Sequence, residues 1–149
     1  DLPQVFVLDQ AHLREHSLEV HLPFLQEVLS DFKLVPITVG EASPEMVSDV
    51  LEALWGGDET LIVISSDLSH FYDYESARTL DAATSRAIEA LRPEDIDHEQ
   101  ACGRRPVNGL LVSAKKHHLH AKTVDLRNSG DTAGSKDEVE GYGAYVFEA

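Results

Sequence analysis

Asp67, His70 and Cys102 carry the side chains in this sequence best suited to chemistry. The first two stand in Ser65-Ser66-Asp67-Leu68-Ser69-His70-Phe71, directly after the aliphatic run Leu61 to Ile64. In open α/β sheets reactive side chains tend to lie just past the carboxyl ends of strands, where this loop falls. The Asp-x-x-His spacing lets carboxylate and imidazole meet within one turn, where the acid can fix the ring's tautomer and raise its basicity. A helix cap at Ser66 or Asp67 beside a solvated His70 is the plainer alternative. Cys102 precedes Gly103-Arg104-Arg105-Pro106, on the turn ahead of a helix. A thiol beside a helix N-terminus and two arginines feels positive potential, which favours the thiolate that ligates metals or does redox chemistry. Simple burial is the default for a lone cysteine, but Gly103 and the arginines are unlike a core.

Two further groups of histidines need weighing. His16, Glu19 and His21 form a third cluster, but His16 and His21 are separated by i and i+5, so on a regular helix they diverge. The zinc-protease arrangement places two histidines at i and i+4 on one face; one of these two can line a pocket, and a shared metal is not expected. His117, His118 and His120 resemble a metal tract, yet histidines at the end of a helix are more often solvated, with no closed coordination shell. Arg104 could pair with an acid in the Ser129 to Asp131 loop. No Gly-x-x-x-x-Gly-Lys loop, Gly-x-Gly-x-x-Gly fingerprint or Gly-x-Ser-x-Gly elbow occurs.

The elements that must position these residues follow from the hydropathy pattern. Val5 to Leu8, Leu34 to Gly40 and Leu61 to Ile64 read as strands, the last buried on both faces because its four large aliphatics do not alternate with polar residues. Leu18, Leu22, Leu25, Val28 and Leu29 trace one face of a helix. Pro23 suits a first turn, so the regular helix should start near His21, with 16–20 as a distorted lead-in. Ser43-Pro44-Glu45 supplies an N-cap, a first-turn proline and an acid, opening a helix to about Trp55. Leu80, Ala83, Ala87, Ile88 and Leu91 predict a helix over 75–91, and Val107, Leu110, Leu111 and Ala114 one over 107–116 whose basic end suits its dipole. Ala121 to Leu126 and Tyr142 to Phe147 read as closing strands around a loop over 127–135. The alternation of strands and helices predicts an α/β fold with a mixed, mostly parallel sheet flanked by helices.

Composition narrows the function classes. A chain of 149 residues suits one domain with a substantial core, and its 42% hydrophobic content is ordinary for a globular, soluble protein. No apolar run approaches the roughly 20 residues of a membrane span. The 27 acidic against 12 basic residues give a formal charge of −15, which opposes nucleic acid and anionic membranes as partners. One cysteine allows no intrachain disulfide, which favours a reducing, cytoplasmic setting.

Taken together, Glu15-His16-Ser17-Leu18-Glu19-Val20-His21-Leu22-Pro23-Phe24, Ser65 to Phe71 and Cys102-Gly103-Arg104-Arg105-Pro106 resemble the Memo family. Its prokaryotic members are called AmmeMemoRadiSam system protein B. Arg127-Asn128-Ser129-Gly130-Asp131 and Gly141-Tyr142-Gly143-Ala144 extend the resemblance over nearly the whole chain. It implies a fold like that of LigB-type class III extradiol dioxygenases, with Cys102 as a metal ligand, Asp67 and His70 beside it as the acid–base pair, and His16 in a family motif; His16, Ser66 and Arg104 are the further candidates for the pocket. The family's two ligand histidines belong to motifs this sequence does not contain, so the chain matches the C-terminal half of a Memo-like domain. With one of three ligands, such a half is expected not to hold iron or copper tightly by itself, although the intact protein would. The resemblance further implies a redox or oxygenase-like function, or alternatively a peptide- or protein-binding adaptor, since a eukaryotic member is described as one. Radical SAM and AMMECR1-type proteins are the implied associates. A truncated sheet would expose an edge near Val5 to Leu8, from which self-association is expected.

Overall fold

A computed structural model describes residues 2–149. Five helices, α1 (Asp9–His12), α2 (Leu22–Val28), α3 (Pro44–Leu54), α4 (Tyr74–Glu89) and α5 (Arg104–Lys116), accompany three strands, β1 (His70–Tyr72), β2 (His120–Asn128) and β3 (Val139–Glu148). Local sequence explains the helix starts. Pro23 lies in the first turn of α2, after a 3-10 turn over Glu19–His21. The Ser43 hydroxyl accepts from the Met46 amide to open α3, and Asp73 accepts from the Glu75 and Ser76 amides to open α4. No helix among the described residues is long and apolar enough to cross a membrane.

The sheet differs from the mostly parallel one expected. Its order is β1-β3-β2 and both pairings are antiparallel, with β2 and β3 in register from His120↔Glu148 to Asn128↔Gly141. The connection between β2 and β3 explains this. It holds only a 3-10 turn over Ser129–Asp131 and a short loop, whereas parallel neighbours require a crossover of a dozen residues or more. The three apolar runs at 5–8, 34–40 and 61–64 join no ladder. Leu61 and Val63 are 67% and 45% exposed, so the run expected to be buried on both faces is not. A strand forms only where a partner offers its backbone, and among the described residues none lies alongside these runs.

Leu68 and Ser69 are both buried, as are Val47, Ser48 and Leu51 of α3. Ala87 and Ile88 of α4, Ile96, Ala101 and Leu111 of α5 form the core, with Leu91, Val107, Ala121, Tyr145 and Phe147 against it. The apolar positions Leu80 and Ala83 do not define the buried face of α4, which instead carries Ala77, Asp81, Thr84, Ser85, Ala87 and Ile88.

A polar seam joins α3 to α5. The buried Ser48 and Ser113 hydroxyls lie 2.8 Å apart, Lys116 donates to Ser48, and Glu52 pairs with His117 at 2.9 Å. The Trp55 ring stacks on the same imidazole at 3.9 Å and 6°. Burial works to raise the Glu52 carboxyl, but hydrogen bonds from Ser113 and His117, with the charges of His117 and Lys116, leave it below its ordinary value. A carboxylate so lowered stabilises the fold above its unfolded-state pKa, and that contribution disappears as pH falls through the folded-state value. Urea midpoints measured from pH 7 to pH 3 should therefore fall less steeply for Glu52→Gln than for wild type. Parallel curves would show that the pair makes no contribution to acid sensitivity.

Candidate functional site

Three donor atoms converge where the 65–69 loop meets the turn before α5. A carboxylate oxygen of Asp67, a ring nitrogen of His70 and the sulfur of Cys102 all lie within 4.8 Å of one another. The two segments are laced through their backbones. The Cys102 amide donates to the Asp67 carbonyl at 3.3 Å, and the Asp67 amide points back at the Cys102 sulfur, also at 3.3 Å. Ser66 completes the lacing: its hydroxyl donates to the Asp67 carbonyl at 2.7 Å and accepts from the Gly103 amide at 2.9 Å. Gly103 permits this approach, because a Cβ there would fall 2.7 Å from the Ser65 carbonyl oxygen and from the Ser66 Cβ.

The acid and the imidazole stand side by side without a hydrogen bond: His70 Nε2 and Asp67 Oδ2 are 3.6 Å apart, beyond hydrogen-bond reach, so the carboxylate does not fix the tautomer of the ring. Their side chains are 28% and 47% exposed, and water weakens any attraction between them accordingly. Cys102 is exposed, so its sulfur faces outward, within reach of donors beyond the loop. β1 positions the imidazole by pairing His70 with Glu140 of β3. Immediately after it, Phe71 sits at φ 63 with its ring 74% exposed and tilted against the imidazole at 5.8 Å. A left-handed conformation is costly for an aromatic residue, and such strain clusters at functional sites.

The chemistry of the donor set fits a metal. A thiol beside an imidazole and a carboxylate suits a soft to borderline ion better than a hard, oxygen-seeking one. Donors around one such ion, at bonds of about 2.0–2.3 Å, stand roughly 3.3–3.8 Å apart, and the spread of up to 4.8 Å here is somewhat looser.

Of the other residues singled out by sequence, Arg104 begins α5 two positions after the thiol and makes no ion pair with any described residue. Asp131 instead takes the Tyr74 hydroxyl and the Asn128 amide, while Arg105 pairs with Glu41. His16 is exposed. In the same segment it is His21 that reaches the site loop, its Nε2 2.9 Å from the Ser65 hydroxyl. Nothing in the local sequence signals this contact, which spans 44 residues. His117 is occupied by Glu52 and Trp55, and the three C-terminal histidines form no donor cluster among the described residues.

The family model described as "Memo-like protein" matches residues 4–146. A "MEMO1 family protein" of Metallosphaera sedula is 33% identical over 93% of this chain and 54% of its own length. One from Methanobrevibacter smithii is 34% identical over 93% and 53%, and one from Aquifex aeolicus 37% identical over 93% and 56%. The chain thus spans about half the length of the curated relatives it matches.

Proposed function

We propose that this chain, which belongs to the Memo-like protein family, contributes the C-terminal half of a metal-dependent site with a redox or oxygenase-like role. The convergence of Cys102, His70 and Asp67 supports this reading. Cys102 is the ligand this chain brings, with His70 and Asp67 beside the metal and not on it, as the looser spread of up to 4.8 Å allows; the remaining ligands are to come from outside the roughly half of the relatives' length that the chain spans. Bound iron or copper would supply one-electron and dioxygen chemistry, made softer by a thiolate than by a carboxylate. The chain's own residues handle protons and position. His70 is the group that can take or give a proton, Asp67 stands 3.6 Å from its Nε2, and Ser66 holds the two loops at their working distance.

Metal analysis of the complete natural protein beside Cys102→Ala tests the proposal. Stoichiometric iron or copper in the wild type and its loss in the variant is the expected result; equal metal in both would remove Cys102 from the site and end the reading. A second reading, an adaptor that binds a peptide or partner protein at this site without catalysis, is favoured by the exposed aromatic of Phe71 beside it. Oxygen consumption in the presence of a reductant discriminates the two. Turnover lost in His70→Ala supports the enzyme, and no turnover in either protein supports the adaptor.

A further inference from the structure

Beneath the site lies a carboxylate that neither reading uses. Asp81 is on α4, 2% exposed, in the middle of a buried face where Thr84 and Ser85 also sit. The two hydroxyl side chains are locally accounted for: Thr84 donates to the Leu80 carbonyl one turn earlier, and Ser85 shares a hydrogen bond with the Tyr145 hydroxyl. Asp81 reaches elsewhere. Its Oδ1 accepts the Ser69 amide at 3.0 Å, from the residue immediately before His70. The peptides on either side are fixed by β3, where the Gly141 amide donates to the Ser69 carbonyl at 2.8 Å and the Gly141 carbonyl accepts the Leu68 amide at 2.8 Å. Gly141 is packed so closely on the carboxylate that a Cβ there would lie 2.1 Å from Asp81 Oδ2. The turn from Leu68 to His70 is therefore clamped between a strand and a buried acid, and its two ends carry Asp67 and His70.

Burying an acid is costly, and burial does push the Asp81 carboxyl above its ordinary range, against the Ser69 amide, the Ser69 side chain and the charge of His70. A neutral residue would fill this place on a helix face more cheaply, so the feature calls for an explanation.

We propose that Asp81 is a positioning residue: by holding the Ser69 peptide against β3 it sets where the His70 imidazole stands relative to Asp67 and Cys102. This rests on the site reading above for its purpose, while the geometry it asserts can be tested without metal. In the metal-free natural protein, Asp81→Ala is expected to shift the His70 ring resonances and to speed exchange of the Ser69 amide by at least about tenfold, the ratio given by loss of one hydrogen bond to a charged acceptor. Asp81→Asn retains an acceptor oxygen and should keep both near wild type. Gly141→Ala, which displaces the carboxylate without deleting it, should move the same resonances, and it takes the place of Asp81→Ala if that variant does not fold.

Leu111→Ala, a core truncation away from the turn, is the control for destabilisation alone and should leave the His70 ring resonances in place. Three results would overturn the assignment: His70 resonances in Asp81→Ala at wild-type positions, a shift no larger than in Leu111→Ala, or a shift in Asp81→Asn as large as in Asp81→Ala. Failure of the wild type to bind metal would sink the proposed function and leave this comparison intact.

Discussion

Replacing Gly103 with alanine is expected to part the two loops of the site and to cost the fold about 1–3 kcal/mol, the usual range for forcing a methyl into filled space. The added carbon would fall 2.7 Å from the Ser65 carbonyl oxygen, 2.7 Å from the Ser66 Cβ and 2.9 Å from its hydroxyl. The first of these is backbone, so no change of rotamer relieves the clash. One segment must withdraw, and the bonds that break are those that define the site: the Gly103 amide to Ser66 Oγ at 2.9 Å, and the paired Asp67 and Cys102 contacts at 3.3 Å. Urea unfolding measures the loss. A midpoint equal to wild type would show that the loops are not held at this distance.

Leu111→Ala should be more damaging, at roughly 2–5 kcal/mol for truncating a buried leucine. Leu111 is fully buried among Ala87, Ile88, Ile96 and Ala101, and two of those neighbours are alanines with no atoms to move into the cavity. Against a total stability of about 5–15 kcal/mol for an ordinary domain, this single change removes a large share. Thermal unfolding checks it, with Val124→Ala, on an exposed face of β2, as the comparison. Equal losses in the two variants would mean that the packed cluster is not where the stability resides.

That Asp67 and His70 stand together is legible in the sequence because they lie three residues apart, while the approach of Cys102 to them is a long-range contact that spacing does not carry. Helices with caps were legible for a related reason: Ser43-Pro44-Glu45 and the acid ahead of α4 act within one turn, where sequence neighbours are also spatial neighbours. Strands depend on a partner. Leu61 to Ile64 is apolar enough for a central strand, yet pairing is a property of two segments, and no described segment lies alongside it. The short strand at His70–Tyr72 was hidden for the converse reason, as nothing in His-Phe-Tyr announces that β3 will take it up. Asp81 was hidden too. A carboxylate on a helix reads as a solvated position, and Leu80 and Ala83 drew the expected buried face away from it. His21 against Ser65 spans 44 residues, a distance over which no local pattern carries information.

Asp67 and Cys102 stand 35 residues apart along the chain, with all of α4 between them. Their mutual grip closes that stretch into a loop in the folded chain, and forming it costs chain freedom by an amount that grows only with the logarithm of its length. A ligand seated across the clasp would bind the native loop and not the open chain, and would raise stability by mass action. Site occupancy and the melting of α4 are then one linked equilibrium: filling the clasp steadies the helix inside the loop, and loosening the helix releases what the clasp holds.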